Sequence, residues 1–129
     1  MGGKGLPLSR VVLLLVLVLA VAKFAGAETM TPVQEQDYSD AKSAVDDARK
    51  ARADKYAPEP LRQAEDYLKT AANARESKDT ALMFGRASRL ARTYAELAKA
   101  LAELNADTEK LAITTEKLSK TKLEIEGLK

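Results

Sequence analysis

Two pairs of adjacent carboxylates are the residues of this sequence that come nearest to catalytic chemistry. Asp46 precedes Asp47, and Glu65 precedes Asp66. A catalytic carboxylate pair needs a cleft that gives its two members unlike environments. Neighbouring acids on charged, helix-forming segments instead indicate a solvated surface. We therefore interpret both pairs as surface charge.

Other catalytic and ligand-binding chemistry is limited by composition. The sequence has no histidine and no cysteine, so it lacks the residues for Ser-His-Asp or Cys-His catalysis and for metal sites with nitrogen or sulfur ligands. Tyr38, Tyr56, Tyr67 and Tyr94 have helical spacing, which favours core packing over a ligand site. The sequence predicts no enzyme activity, no cofactor and no metal.

Three arginines are the candidates for contact with an anionic surface. Arg86, Arg89 and Arg92 lie close together near the start of a long helical segment. Ordinary solvation is the favoured interpretation, because acids elsewhere balance these charges. A peripheral binder of lipid headgroups or cell-wall glycan is the alternative function that these arginines support.

The first 27 residues have the three parts of a secretory signal. Lys4 and Arg10 form a positive start, Val11 to Ala22 is an apolar run of 12 residues, and Ala25-Gly26-Ala27 provides small residues for cleavage. We predict a periplasmic or cell-envelope protein that begins, after processing, at Glu28.

An inner-membrane anchor through residues 8–27 is the alternative to a cleaved signal. A spanning helix needs about 20 apolar residues, and Lys23 interrupts the apolar run. The signal carries 3 of the 21 basic residues, so the remaining 18 face 19 acidic ones, for a net charge of −1. This balance predicts no nucleic-acid partner, and membrane contact only through an uncleaved signal.

The processed chain has the composition of an all-α protein. Alanine, the best helix former, supplies 19 of its 102 residues. Prolines and a polar segment divide it into three predicted helices, which run from Pro32 to about Tyr56, from Pro60 to about Ser77, and from Ala81 to about Glu126. We predict an antiparallel helical hairpin or three-helix bundle whose long C-terminal helix extends as a coiled coil.

The helix boundaries have local signals. Thr31 and Gln34 fit a capping box around Pro32. Because a residue before proline avoids the α region, Ala57 and Glu59 should be extended.

The third predicted helix carries two patterns. A stripe of small residues is the expected floor for the other two helices and consists of Ala87, Ala91, Ala95, Ala98 and Ala102. A second pattern, here called the leucine row, repeats every seven residues and consists of Leu90, Leu97, Leu104, Leu111, Leu118 and Ile125. Four residues after its first five members lies a companion row of Tyr94, Leu101, Thr108, Thr115 and Lys122.

This heptad pattern predicts a coiled coil. The short helices should form a bundle over residues 28–104, and residues 105–129 should extend beyond it. A lone helix there would leave its leucines in water, so we predict association with a second copy or with another envelope protein. The residues predicted to carry it, here called the association seam, are Leu97, Leu101, Leu104, Leu111, Leu118 and Ile125.

A family resemblance covers about Asp40 to Glu103. It is carried by Ala53, Tyr56, Ala57, Pro58, Leu61, Ala64, Leu68, Ala71 and Ala74, and then by Ala81, Ala87, Leu90, Ala91, Ala95, Ala98 and Ala102. The sequence resembles bacterial envelope proteins that share domain of unknown function 4398. The resemblance implies a helical envelope module without catalytic residues. Relatives are often lipoproteins, and some carry a peptidoglycan-binding domain, whereas this sequence shows neither a lipidation cysteine nor a second domain.

Overall fold

The computed structural model describes residues 29–77 and 80–128, which form four α-helices. The helices are α1 (Pro32–Lys50), α2 (Ala53–Tyr56), α3 (Pro58–Glu76) and α4 (Ala81–Gly127). The all-α prediction is confirmed. The predicted signal at residues 1–27, including the anchor alternative at 8–27, lies outside the described residues. None of the described helices is long and apolar enough to cross a membrane.

The capping box at the start of α1 is confirmed. The Gln34 backbone N–H donates to the Thr31 hydroxyl over 3.2 Å, and the Gln34 side-chain oxygen accepts from the Thr31 N–H over 2.9 Å. The amide nitrogen of the same side chain donates to the Ala81 carbonyl. Gly85 leaves room for this contact, since a Cβ there would lie 3.1 Å from the Gln34 side chain. The cap therefore also joins the starts of α1 and α4.

The predicted continuous helix from Pro32 to Tyr56 is wrong, because the chain turns at Ala51 and Arg52. Arg52 adopts a left-handed conformation with φ 62°, which costs a non-glycine residue about 1–2 kcal/mol. The turn brings Ala53, which is fully buried, into the hydrophobic core. Packing of α2 against the other helices thus favours a break that neither glycine nor proline signals in the sequence.

The start of α3 also differs from the prediction. Ala57 is non-helical as expected, but the helix begins at Pro58 and includes Glu59, rather than beginning at Pro60. The first N–H groups of any helix have no partner within it, so two prolines in the first turn remove no helical hydrogen bond. The first such bond runs from the Leu61 N–H to the Ala57 carbonyl.

Ion pairs between helices give the chain direction in the bundle. Those that join the three long helices are Asp37–Arg89 and Asp40–Arg92 between α1 and α4, and Glu35–Arg75 and Arg49–Glu65 between α1 and α3. From the first α1–α4 pair to the second, the residue numbers increase on both helices. From Glu35–Arg75 to Arg49–Glu65, the number increases on α1 and decreases on α3. α1 and α4 are therefore parallel, and α3 runs antiparallel to both.

The core of this bundle consists mainly of alanine. The predicted floor on α4 is buried along its whole length, and the largest fully buried side chains are Phe84, Val45 and Ser88. The Tyr38 ring packs against Phe84 with ring centroids 5.4 Å apart. When the contact residues are small, the axes of two packed helices can come as close as about 8 Å, the lower limit of the usual range. The bundle therefore depends on close backbone approach more than on large apolar side chains.

Enlarging an alanine in this interface should destabilise the bundle. We expect Ala95→Leu to lower the free energy of unfolding by about 1–3 kcal/mol, because Ala95 is fully buried and overpacking forces neighbouring helices apart. Ala100→Leu, at an exposed position of the same helix, should change it by less than about 0.5 kcal/mol. Chemical denaturation of both variants measures the difference, and equal effects would contradict a close-packed alanine core.

Candidate association surface

The residues of α4 that face the bundle repeat every seven positions. Two such series are buried, with Ala81, Ser88, Ala95 and Ala102 in one and Phe84, Ala91 and Ala98 in the other. The Ser88 hydroxyl is satisfied by donating to the Phe84 carbonyl over 2.7 Å. In an ideal α-helix, residues seven positions apart are rotated by about 20° from each other around the helix axis. A row with this spacing therefore stays against one partner only if the helix supercoils. The bundle therefore sets a heptad geometry for the first half of α4.

The leucine row lies on a different side of α4 and is exposed over most of its length. Leu97 and Leu104 are 46% and 60% exposed beside the bundle, and Leu111 and Leu118 are 67% and 70% exposed beyond it. Met83, which is also exposed, extends the row by one heptad toward the N-terminus. α4 thus has one heptad face that the bundle covers and a second that is largely exposed in the described chain, with only Leu90 half-buried.

The companion row changes character along α4. Tyr94 and Leu101 are half-buried and pack against the core, whereas Thr108, Thr115 and Lys122 are exposed. Of the predicted association seam, only Leu101 therefore has a substantial share of its surface in the bundle.

The bundle ends against α4 at a polar cluster. The Asn105 side chain donates to the Tyr56 carbonyl over 2.7 Å, and the Lys55 ammonium lies 3.2 Å from a carboxylate oxygen of Glu109. The Tyr56 hydroxyl accepts from Lys55 and donates to Glu109. Lys110–Gly127, here called the overhang, extends beyond this cluster and has only exposed residues. Its helix is about 27 Å long.

The cluster perturbs the ionisation of both its charged members. The hydrogen bonds from Tyr56 and then Lys55 lower the pKa of the Glu109 carboxyl. The hydrogen bonds to Tyr56 and Glu109 raise the pKa of the Lys55 ammonium. Both shifts favour the charged forms, so the cluster is strongest in the pH range in which Glu109 is ionised and Lys55 is protonated.

The three grooves between the bundle helices differ in charge. Ion pairs bridge α1 to α3 and α1 to α4. No ion pair bridges α3 to α4 within residues 29–77 and 80–128. Instead, the rings of Tyr67 and Tyr94 stack there with centroids 5.5 Å apart and an interplanar angle of 14°. The α3–α4 groove is therefore uncharged at its centre, and the leucine row lies beside it.

The three candidate arginines are exposed but have different surroundings. Arg89 lies 3.3 Å from Asp37, and Arg92 lies 3.3 Å from Asp40 and also pairs with Glu96 over 2.8 Å. The hydrogen bond to Glu96 raises the pKa of Arg92. Two of the three arginines therefore hold α1 against α4.

The acid pairs noted in the sequence lie on helices, where Asp46 and Asp66 are exposed and Asp47 and Glu65 are partly buried. Arg49 pairs with Asp46 and Glu65, Lys50 with Asp47, and Arg62 with Asp66. In the described part of the chain, no group of three or more acidic residues is arranged to hold a metal ion. The tyrosine packing is mixed, because Tyr38 and Tyr67 meet other aromatic rings whereas Tyr56 belongs to the polar cluster.

Comparison with known proteins gives one match. The sequence profile of the family described as "Domain of unknown function (DUF4398)" matches residues 36–120. This range includes α3 and most of α1 and α4, as well as the first part of the overhang. No curated protein and no solved structure is similar to the chain.

Removal of the Tyr56 hydroxyl should raise the pKa of Glu109. A carboxylate with a lowered folded-state pKa adds stability above its unfolded pKa and loses it as the pH falls through the folded value. We therefore expect Tyr56→Phe to raise the pKa of the Glu109 carboxyl measured by NMR titration. The pH at which the protein begins to lose stability on acidification should rise as well. Tyr67→Phe should leave that titration unchanged. An unchanged Glu109 pKa in Tyr56→Phe would show that the hydroxyl does not stabilise the carboxylate.

Proposed function

The chain belongs to the DUF4398 family, and we propose that it is a non-enzymatic structural module of the bacterial cell envelope that acts by helix-to-helix association with a second copy of itself. The observation that carries the proposal is the exposed leucine row, which runs from beside the bundle to the end of α4. Burial of a leucine side chain contributes roughly 2 kcal/mol, so pairing of several of them favours association.

The flanks of the seam also support pairing of identical copies. Charges beside a coiled-coil core select the partner chain, and like charges would separate two copies. Five residues of the overhang flank its seam, and all but the last are uncharged: Ala112, Thr114, Ser119, Thr121 and Glu126. Identical copies therefore meet little repulsion there, and no charge pattern selects a different chain.

The alternative function has less support. A binder of lipid headgroups or cell-wall glycan would use Arg86, Arg89 and Arg92, but acids on α1 and α4 offset the charge of two of them. Arg86 is exposed and is a single charge. A surface that recognises anions by electrostatics needs several unpaired cations.

The envelope location rests on the predicted signal and on the family resemblance. Export through a cleaved signal would release α1 to α4 as a protein that begins at Glu28. Association through the seam would then take place outside the cytoplasm.

Replacing leucines of the association seam should dissociate the proposed dimer into monomers without unfolding the bundle. We expect the wild-type chain, purified after export, to approach twice the monomer mass in sedimentation equilibrium as its concentration rises. The double variant Leu111→Gln/Leu118→Gln should remain monomeric over the same range, because both leucines lie in the overhang and are exposed in the isolated chain.

A matched control uses the residues immediately before these leucines. Lys110→Gln/Lys117→Gln changes the same helical turns at exposed positions outside the seam and should associate like the wild type. Circular dichroism checks that all three proteins are equally helical. A monomeric wild type, or variants that associate equally well, would refute the proposed function.

The export proposal has a separate test. In an exporting bacterial host, we expect the chain to fractionate with the periplasm and its N-terminal sequencing to start at Glu28. A chain that retains residues 1–27 and sediments with the inner membrane would support the anchor alternative instead.

A further inference from the structure

We propose that the second copy packs antiparallel along the association seam, so that the overhang of each copy lies in the α3–α4 groove of the other. This inference rests on the proposed function and adds the orientation and the contact site of the partner. A two-fold axis near Ala106 would relate the copies. Each bundle would then gain one more long helix, beside α1, α3 and α4, from its partner.

The α3–α4 groove suits such a helix because, within the described residues, no ion pair bridges it and aromatic rings lie at its centre. The stacked rings of Tyr67 and Tyr94 lie at its centre. Gln63 and Thr70 lie one helical turn to either side of Tyr67 on α3. On the α4 wall, Leu97 lies one turn beyond Tyr94 and is 46% exposed. A helix placed here would cover apolar surface and would break none of the ion pairs that join α1 to its neighbours.

The lengths of the elements also match. α3 has 19 residues, which corresponds to about 28 Å of helix, and the overhang spans about 27 Å. One overhang is therefore long enough to cover the groove from end to end.

The companion row determines the orientation. In a parallel, in-register pair, each core residue faces its own copy, so Thr108, Thr115 and Lys122 would form three successive polar layers and the two Lys122 ammonium groups would repel each other. In an antiparallel pair, companion-row residues of one copy face leucine-row residues of the other. This arrangement places an apolar partner opposite every polar residue of the row.

The antiparallel layers follow from a two-fold axis near Ala106, about which residues at equal distances along the chain face each other. The layers are Leu104 with Thr108, Leu97 with Thr115, Leu90 with Lys122, Leu101 with Leu111, and Tyr94 with Leu118. A lysine opposite leucine can lay its methylene chain on the apolar surface and keep its ammonium group in water.

Small residues in the overhang leave space for α3 of the partner. Ala112 and Ser119 continue, at seven-residue spacing, the buried series of Ala91 and Ala98 that lets α3 approach α4 within one chain. In the antiparallel pair, this side of the overhang faces α3 of the second copy. The same close approach is therefore available between copies as within one.

Cysteine cross-linking tests the orientation directly, because the chain has no cysteine of its own. Two single variants, Leu97→Cys and Thr115→Cys, are purified after export, mixed in equal amounts and oxidised. We expect a disulfide-linked dimer of twice the monomer mass from the mixture on a non-reducing gel. Each variant alone should stay at monomer mass, and so should Lys110→Cys, which lies outside the seam.

Other outcomes overturn the inference in distinguishable ways. A linked dimer from Thr115→Cys alone would indicate parallel pairing, and a sedimenting dimer that gives no link from the mixture would place the contact elsewhere. Either result refutes the antiparallel arrangement and leaves association itself intact. Monomers in sedimentation at every concentration would refute the proposed function as well.

Discussion

The unequal length of the helices is the constraint on which the rest of this structure depends. α4 has 47 residues, whereas α1 and α3 have 19 each. The polar cluster of Lys55, Tyr56 and Glu109 marks the end of the contact between the bundle and α4. Beyond it, the leucines of α4 remain exposed in the part of the chain that the structure describes. Helical stability in proteins comes mostly from packing of a helix face, and this is the physical basis of the proposed association.

α4 carries two heptad faces, of which one packs in the bundle and the other is largely exposed. The alanine face fixes α1 and α3 at short distance through small side chains, and the leucine row lies to one side of it. Ion pairs join α1 to both α3 and α4, whereas none bridges α3 and α4 within the described residues. The leucine row lies next to this α3–α4 groove.

Much of this organisation is present in the sequence, and the exceptions have physical reasons. Heptad spacing and alanine content predict the long helix, its buried stripe and its exposed row, and the capping box at Thr31 is recognisable from residue types alone. The turn at Arg52 is not, because a left-handed arginine is stabilised by tertiary packing of Ala53. The cluster at Glu109 joins residues more than fifty positions apart, and ion pairing of Arg89 and Arg92 requires the register between α1 and α4. Local sequence patterns indicate neither tertiary packing nor the register between helices.

Amide hydrogen exchange in the overhang, measured at several protein concentrations, tests the central claim most directly. If a second copy stabilises residues 110–127, their protection should be low in dilute solution and should rise with concentration toward that of the bundle. Protection that is equally high at every concentration, in a particle of monomer mass, would contradict the claim that the exposed leucines require a partner.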